Sequence, residues 1–287
     1  MVVPVDTDPS AAALSSRIRL HRRTWRHEGR GYEVMSLRPG DPTRFSVERW
    51  QRVLLIRSDL AGARLLGRLL WDLSYQHRPG ALLVLDPHHL APDPFHGRPS
   101  PTVVFGLAPA TVLTAATVRA LRRPALWRTR PDGTVGWRTA SLAEAYAECR
   151  ARQDARAAGT PVAWPHLPEQ PDPVVLDAGS ACAVLATAPM LRDWAVAVTG
   201  AGSYWHSGES CTEPCYGSGI DVHAVRHYQR LVSAATRARA EVLAAPDRPA
   251  DPAGLDCRVS RHAVTVAGRR PGPWDDAPSP AAAVAGR

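Results

Sequence analysis

The stretch VLLIRSDLAGARLLGRLLWDLSYQHRPGALLVL, residues 53–85, decides the fold class. Its two ends, VLLI (53–56) and ALLVL (81–85), are short continuous apolar runs, which predict buried strands. Ser58 or Asp59 is suited to cap a helix between them. The leucines of that helix recur at helical spacing: Leu66, Leu69, Leu70 and Leu73. The stretch therefore predicts a βαβ unit with a right-handed crossover.

The elements that follow extend this pattern toward the carboxyl terminus. TVVFG (102–106) predicts a strand, and Pro109 is placed to begin a helix that runs to about Arg122. A hairpin is predicted over residues 125–139, with its turn at Pro131-Asp132-Gly133. Further predictions are a helix from a capping box at Ser141 and Glu144 through Arg156, a strand over residues 173–177, and a helix from Pro189. Residues 179–187 fit either a helix or the second strand of a hairpin.

The amino-terminal part predicts a basic hairpin over residues 17–37, with its turn at Glu28–Gly31. Together these elements predict an α/β fold, with a mostly parallel or mixed sheet, flanking helices and a smaller carboxyl-terminal α+β part. The proline-rich residues 158–172 mark the best interior boundary. We therefore expect a disordered tail over 1–15, a basic α/β domain over 16–160, an α+β part over 161–269, and a second disordered tail over 270–287.

The composition excludes some chemistry. The chain has 287 residues without a single Lys or Asn, while Ala, Arg, Pro and Gly abound, as expected for a gene of high GC content. Without Lys there is no Schiff-base lysine and no P-loop lysine. No basic segment leads into an apolar core at the amino terminus, and the five cysteines are an odd number. Both features favour a cytoplasmic protein without a disulfide framework. The longest uncharged run, residues 99–118, is broken by Pro101, Gly106 and Pro109, so we expect no membrane span.

The positive charge is concentrated in one half of the sequence. Residues 1–150 hold 22 Arg against 13 acidic residues, a balance of +9, whereas residues 151–287 hold 13 Arg against 14 acidic residues, a balance of −1. Both halves share one base composition, so codon bias does not explain the difference. A one-sided basic field attracts polyanions such as nucleic acid. The predicted contact residues are Arg19, Arg22, Arg23, Arg26, Arg128, Arg130 and Arg138. The alternative is that these charges are solvated surface or protect an edge strand.

Four residues in the carboxyl-terminal half have a spacing that suits zinc: Cys211, Cys215, His223 and His227. Zinc commonly takes one pair of ligands from a loop and a second pair from a helix. A helix capped by Asp221 would place His223 and His227 on one face. Four protein ligands would close the site, so we predict a structural zinc ion. The alternative is two buried cysteines and two surface histidines.

A second cluster follows the strand at 81–85 and contains Asp86, His88, His89, Asp93 and His96. Ligands in parallel α/β sheets bind beyond the carboxyl ends of strands, and Asp59 and Asp177 also follow predicted strands. Such carboxylates and imidazoles can hold a divalent metal that activates water. The alternative is that all of them are structural loop residues. A third candidate, Cys182, fits either a helix amino terminus that stabilises a thiolate or an inert core position.

Three functions follow from these patterns. The leading hypothesis is non-catalytic binding of nucleic acid or another polyanion through the arginine-rich half, with zinc stabilising the other half. The second is a metal-dependent hydrolase of a phosphorylated or nucleotide substrate that uses Asp59, Asp86, His88 and His89. The third is a scaffold or assembly protein without either site.

Overall fold

The computed structural model describes residues 9–50, 53–162, 171–201, 211–212 and 219–268. The chain divides into two compact units. The first unit comprises Met1–Ala91 and Pro99–Arg226, and the second comprises Pro92–Arg98 and His227–Arg287. The boundary predicted near residue 160 does not coincide with this division, because strands on both sides of it join one sheet.

The large sheet of the first unit has seven strands. They are β1 (Arg17–His27), β2 (Arg30–Leu37), β5 (Ala81–Leu85), β6 (Thr102–Leu107), β7 (Gly133–Arg138), β8 (Val174–Asp177) and β9 (Ala181–Ala186). Their order across the sheet is β7-β1-β2-β5-β6-β9-β8. The β2–β5 and β6–β9 pairs are parallel, and the other neighbours are antiparallel. The sheet is therefore mixed and flanked by helices, which confirms the predicted α/β class.

A smaller sheet of four strands completes the β-structure. Its members are β3 (Ser46–Trp50), β4 (Val53–Ser58), β10 (Cys211–Thr212) and β11 (Ile220–Val225), in the order β10-β11-β4-β3. Because β4 lies in this sheet and β5 lies in the large one, the βαβ unit predicted across residues 53–85 is wrong. Its strands and helix nevertheless form where the sequence predicts them. The parallel partner of β4 is β11, which is distant in the sequence.

Helices cover both faces of the large sheet. The described helices of the first unit are α1 (Ala11–Ser15), α2 (Leu60–Leu73), α3 (Ala115–Leu121), α4 (Pro124–Arg128), α5 (Leu142–Ala157) and α6 (Ala188–Thr199). Leucines of α2 and α6 share one core with Leu20, Leu83 and Phe105 of the sheet. On the opposite face, Val118 and Trp127 of α3 and α4 pack on other sheet residues.

The contact between α2 and α6 requires a residue without a side chain. A Cβ atom added at Gly67 would lie 2.9 Å from the Ala195 carbonyl oxygen and 2.7 Å from Thr199 Oγ1. Helix α2 begins as predicted, since the Asp59 carboxylate accepts a 2.7 Å hydrogen bond from Gly62 N. Helix α2 also contacts strands of both sheets.

Three local predictions are wrong in detail. The helix expected from Pro109 begins at Ala115, because Thr114 supplies the cap through a bond from Thr117 N. The hairpin over 125–139 does not form, since Pro124–Arg128 is helical and β7 pairs with β1 instead. Helix α5 forms as expected, but Ser141 has a left-handed backbone with φ 62° and its side chain makes no cap hydrogen bond.

Two hairpins agree with the sequence. The basic hairpin β1–β2 turns at Glu28 and Gly29, which have φ values of 48° and 74° and lie between the paired His27 and Arg30. Consecutive positive φ values are typical of the tight turns whose twist matches that of paired strands. Residues 181–186 form β9, paired antiparallel with β8, so the segment that fitted helix or strand is a strand.

The second unit contains helices α7 (Tyr228–Ala244) and α8 (Pro252–Gly268), joined by a short connection. They share an apolar core that includes Ala238, Val242 and Val259.

The chain ends are only partly described. Helix α1 of the first unit shortens the predicted amino-terminal tail, since its Leu14 is buried. Residues 1–8 and 269–287 lie outside the described residues. No helix in the described part of the chain combines the length and apolarity needed to span a bilayer.

Candidate polyanion-binding surface and adjoining groove

Three arginines form a basic edge on the first unit. Arg17 on β1 lies directly opposite Arg138 on β7, the outermost strand of the large sheet. Arg19 lies two residues farther along β1, so alternation places it on the same face. All three are exposed. Opposed residues of antiparallel strands have Cβ atoms about 5 Å apart, so the strands hold like charges close together.

No acidic side chain of the described residues forms an ion pair with this edge. Within the described residues, Arg17, Arg19 and Arg138 form no ion pair, whereas arginines elsewhere in the chain do. The Arg17 guanidinium lies over Gly136, where a side chain at position 136 would clash with it. Like charges directly opposite each other in a sheet are destabilising. The edge therefore carries an electrostatic cost that a bound anion would remove.

The other predicted contact arginines do not share this edge. Arg23 is buried, donates a 3.2 Å hydrogen bond to Ser36 Oγ, and lies 5.3 Å from the centre of the Trp127 ring. Arg22 and Arg26 alternate with Arg23 and therefore point to the opposite face. The exposed Arg128 is the last residue of α4, and the exposed Arg130 lies between α4 and β7.

One acid lies beside the basic hairpin. The Asp132 carboxylate accepts a 2.5 Å hydrogen bond from Thr24 N, and this bond holds the pKa of Asp132 below its usual range. The charges of Arg22 and Arg23 lower it further. Asp132 N also donates to the Arg22 carbonyl oxygen. These bonds attach the start of β7 to β1. Asp132, predicted to lie in the turn of a local hairpin, therefore helps to pair two strands that are distant in the sequence.

The second predicted cluster is partly brought together. The buried Asp86 accepts a 2.8 Å bond from His88 N, and its Oδ1 lies 3.3 Å from His89 Nδ1. The other nitrogen of His89 lies 3.0 Å from the Arg38 carbonyl oxygen and must donate to it. The His88 side chain is exposed. His21 faces this cluster, and burial together with Arg23 lowers its pKa.

The remaining carboxylates of that cluster lie elsewhere. Asp59 caps α2, and Asp177 forms an ion pair with Arg49 while accepting a bond from Gly179 N. Asp93 belongs to the second unit, where its carboxylate accepts bonds from Phe95 N and His96 N. Among the described residues, neither Asp59, Asp86 nor Asp177 belongs to a group of three potential metal ligands. The convergence expected at the strand ends does not occur.

The predicted zinc ligands are only partly described. His223 lies on strand β11 with Nε2 3.3 Å from Asp221 Oδ2, and His227 precedes α7 with φ 54°. The helix expected to begin at Asp221 begins at Tyr228, so these histidines do not share a helix face. Strand β10 contains Cys211, but its side chain and all of Cys215 lie outside the described residues. The structural zinc ion stays a prediction.

Cys182 occupies a core position. It lies on β9 rather than at a helix amino terminus, and it is fully buried. Burial raises the pKa of its thiol to about 12, so a thiolate does not form at neutral pH. Among the described residues Cys149, Cys182 and Cys257 are free thiols. The inert alternative is therefore the one that the structure favours.

An open groove of about 440 Å³ adjoins the basic edge, and sequence reasoning did not identify it. It lies between the carboxyl-terminal turn of α2 and the segment from β7 to the start of α5. Its lining residues are Trp71, Asp72, Tyr75, Gln76, Gly136, Trp137, Arg138, Ala140 and Ser141. Arg138 therefore belongs both to this groove and to the basic edge.

Asp72 is the chemically unusual member of the groove. It is 6% exposed, and its Oδ2 is buried without a hydrogen-bond partner among the described residues. Burial raises the pKa of Asp72 to about 7, although the charge of Arg68 acts in the opposite direction. The available signal in the sequence was an acid inside the apolar run LLWDL (69–73) of a predicted helix.

Comparison of the chain with protein-family models, curated protein sequences and solved structures finds no match.

Proposed function

We propose that this chain is a non-catalytic protein that binds a polyanion, most directly nucleic acid, through its basic edge of Arg17, Arg19 and Arg138. One observation carries the proposal: Arg17 and Arg138 oppose each other on paired strands, exposed and without an ion-pair partner in the described residues. Phosphate groups would relieve that repulsion and accept charge-assisted hydrogen bonds from the guanidinium groups. Arg128 and Arg130, exposed before β7, add to the positive charge of the first unit without belonging to this edge.

The hydrolase alternative has weaker support. Asp59 and Asp86 make separate local hydrogen bonds, and His89 is held by Asp86 and the Arg38 carbonyl. Side chains that already make such local hydrogen bonds are typical of structural loop residues. The basic edge, in contrast, leaves its charges exposed to a partner.

Salt dependence tests the proposal. We expect the full chain to bind single-stranded DNA and heparin with an affinity that falls steeply as salt rises, because bound phosphates release counterions. The triple variant R17Q/R19Q/R138Q should reduce the slope of log K against log salt by about 2, since each single-strand phosphate contact contributes about 0.7.

A matched control separates a local surface from net charge. Arg152, Arg237 and Arg258 each form an ion pair, with Glu148, Glu241 and Asp247 respectively. The triple variant R152Q/R237Q/R258Q removes the same charge from the chain. It should leave the slope unchanged; equal losses in both triple variants would refute a specific basic edge.

A further inference from the structure

The groove beside the basic edge combines an aromatic surface with an acid, Asp72, whose Oδ2 has no hydrogen-bond partner among the described residues. Tyr75 is 46% exposed, and its ring lies 5.8 Å from that of Trp71 at an angle of 58°. Trp71 is fixed in place because its Nε1 donates a 2.8 Å hydrogen bond to the Ala140 carbonyl oxygen. The Arg192 guanidinium lies 5.3 Å from the centre of the Tyr75 ring and supports it. A rigid aromatic ring beside exposed arginines is the usual arrangement for stacking a nucleobase.

Asp72 defines the hydrogen-bonding character of this groove. An ionised carboxyl group only accepts hydrogen bonds, and each of its oxygens can take a donor. Leaving such a group buried without donors is costly, which is why buried carboxyl groups are normally hydrogen-bonded. The chain supplies no hydrogen bond to Asp72 Oδ2 within the described residues. A ligand with hydrogen-bond donors would supply the bond that the described residues do not provide.

We propose that a single-stranded nucleic acid inserts one unstacked guanine into this groove, stacked on Tyr75 with its Watson–Crick edge donating hydrogen bonds to the Asp72 carboxylate. The inference rests on the proposed function, because Arg138 lines the groove and, with Arg17 opposite it, would contact the phosphates beside that base. Guanine is the base that presents two adjacent donors, N1–H and the N2 amino group, to the two carboxylate oxygens. Thymine presents one donor between two acceptors, and carboxylate oxygens repel those acceptors.

The groove fits a base of a single strand rather than a duplex. Watson–Crick edges are occupied in a duplex, and proteins read them in unpaired loops and ends, where bases are stacked on aromatic side chains. The position of Arg138 at the groove and opposite Arg17 gives the backbone of the strand a contact beside the inserted base. Duplex DNA would engage the basic edge alone.

The test compares three probes on the full chain by fluorescence anisotropy. The probes are a short labelled thymidine oligonucleotide, the same strand with one central guanine, and the same strand with hypoxanthine, which lacks the N2 amino donor, at that position. We expect the guanine strand to bind about tenfold more tightly than the thymidine strand, as for one bidentate base contact. The hypoxanthine strand should fall between them. Equal affinities for all three strands would overturn the inference.

Two substitutions assign the effect to the groove. Asp72→Leu should abolish the preference for guanine and leave the affinity for the thymidine strand unchanged. Glu144→Leu, which removes the same charge from an exposed position on α5, should preserve the preference. If Asp72→Leu fails to fold, the exposed Tyr75 provides the test: Tyr75→Ala should weaken binding of all three strands about tenfold, and Tyr75→Phe should not. Preserved binding in Tyr75→Ala, or a preference that persists in Asp72→Leu, contradicts the proposal.

The outcomes distinguish this inference from the function on which it rests. If binding depends on Arg17, Arg19 and Arg138 but not on Tyr75 or Asp72, the polyanion function stands and the base-binding groove is rejected. The same conclusion follows if a duplex binds as tightly as the guanine strand. If no oligonucleotide binds and heparin is not retained, both proposals fail.

Discussion

Two helical aspartates, almost equally buried, have opposite surroundings in the two units. Asp72 in the first unit is 6% exposed, and its Oδ2 has no hydrogen-bond partner in the described residues. Asp256 in the second unit is 7% exposed and forms ion pairs with Arg98 and, at 3.0 Å, with Arg239. The described residues therefore pair the buried aspartate of the second unit with arginines but leave one oxygen of the buried aspartate of the first unit without a partner.

The arginines of the two units also differ in whether they form ion pairs. On α7 and α8 of the second unit, Arg237 pairs with Glu241 and Arg258 pairs with Asp247. On the β1–β7 edge of the first unit, Arg17 faces Arg138 and neither has an acidic partner in the described residues. Charge in the second unit stabilises its helices, whereas charge at this edge and in the adjoining groove costs stability. Residues whose arrangement costs stability are where we expect a ligand.

The largest expected effect concerns the ionisation of Asp72. Its pKa is raised from 3.8 to about 7 in the folded state. Between these values the native state holds a proton that the unfolded state has released, so stability falls as pH rises across this window. Each unit of pKa shift corresponds to about 1.4 kcal/mol, so the free energy of unfolding is lower above pH 7 than below pH 4 by at most about 4 kcal/mol.

The variant Asp72→Leu should therefore gain stability relative to the wild type as pH rises from 4 to 8. The measurement is denaturant unfolding of both proteins at several pH values. A difference in free energy of unfolding that does not change with pH would mean that Asp72 is hydrogen-bonded or solvated, and the contrast with Asp256 would disappear.

The next effect concerns the satisfied acid of the second unit. Asp256→Ala leaves Arg98 and Arg239 without their shared partner, so we expect a loss of about 3 kcal/mol in the free energy of unfolding. Asp247→Ala is the matched control, because its side chain is 72% exposed and exposed ion pairs contribute less than about 1 kcal/mol. Thermal unfolding of both variants measures the difference; similar losses would show that burial does not distinguish these two ion pairs.

The smallest expected effect is a gain in the free energy of unfolding. Arg138→Glu converts the opposed like charges of Arg17 and Arg138 into an ion pair, which should stabilise the chain by about 0.5 kcal/mol. The same variant should weaken polyanion binding more than Arg138→Gln does, because it reverses a contact charge. A variant that is less stable than the wild type would show that Arg17 and Arg138 do not repel each other.

Local signals in the sequence predicted individual helices and strands better than they predicted which strands pair with each other. The strand Ala81–Leu85, helix α2 and the β1–β2 hairpin follow from apolar runs, helical spacing and turn glycines. The partners of β4 and β7 did not follow. Strand β4 pairs with β11 and β7 pairs with β1, and no local pattern carries the information about pairings between segments so distant in the sequence.

The candidate sites show the same limit. Alternation along β1 correctly placed Arg19 and Arg23 on one face, but it gave no sign that α4 covers Arg23 through Trp127 and leaves Arg19 exposed. His223 and His227 have helical spacing, yet His223 lies on a strand because residues 220–225 extend the small sheet. Asp72 was missed because the sequence shows only a single acid in an apolar helix. Its importance depends on the lack of a hydrogen bond to Oδ2 in the described residues, which only the structure reveals.

The most direct test of the central claim compares the salt dependence of DNA binding by R17Q/R19Q/R138Q and by R152Q/R237Q/R258Q. Both variants lose the same charge, but only the first loses arginines that have no ion-pair partner in the described part of the chain. We expect the slope to fall by about 2 in the first variant and to stay unchanged in the second. Equal slopes in the two variants would contradict it.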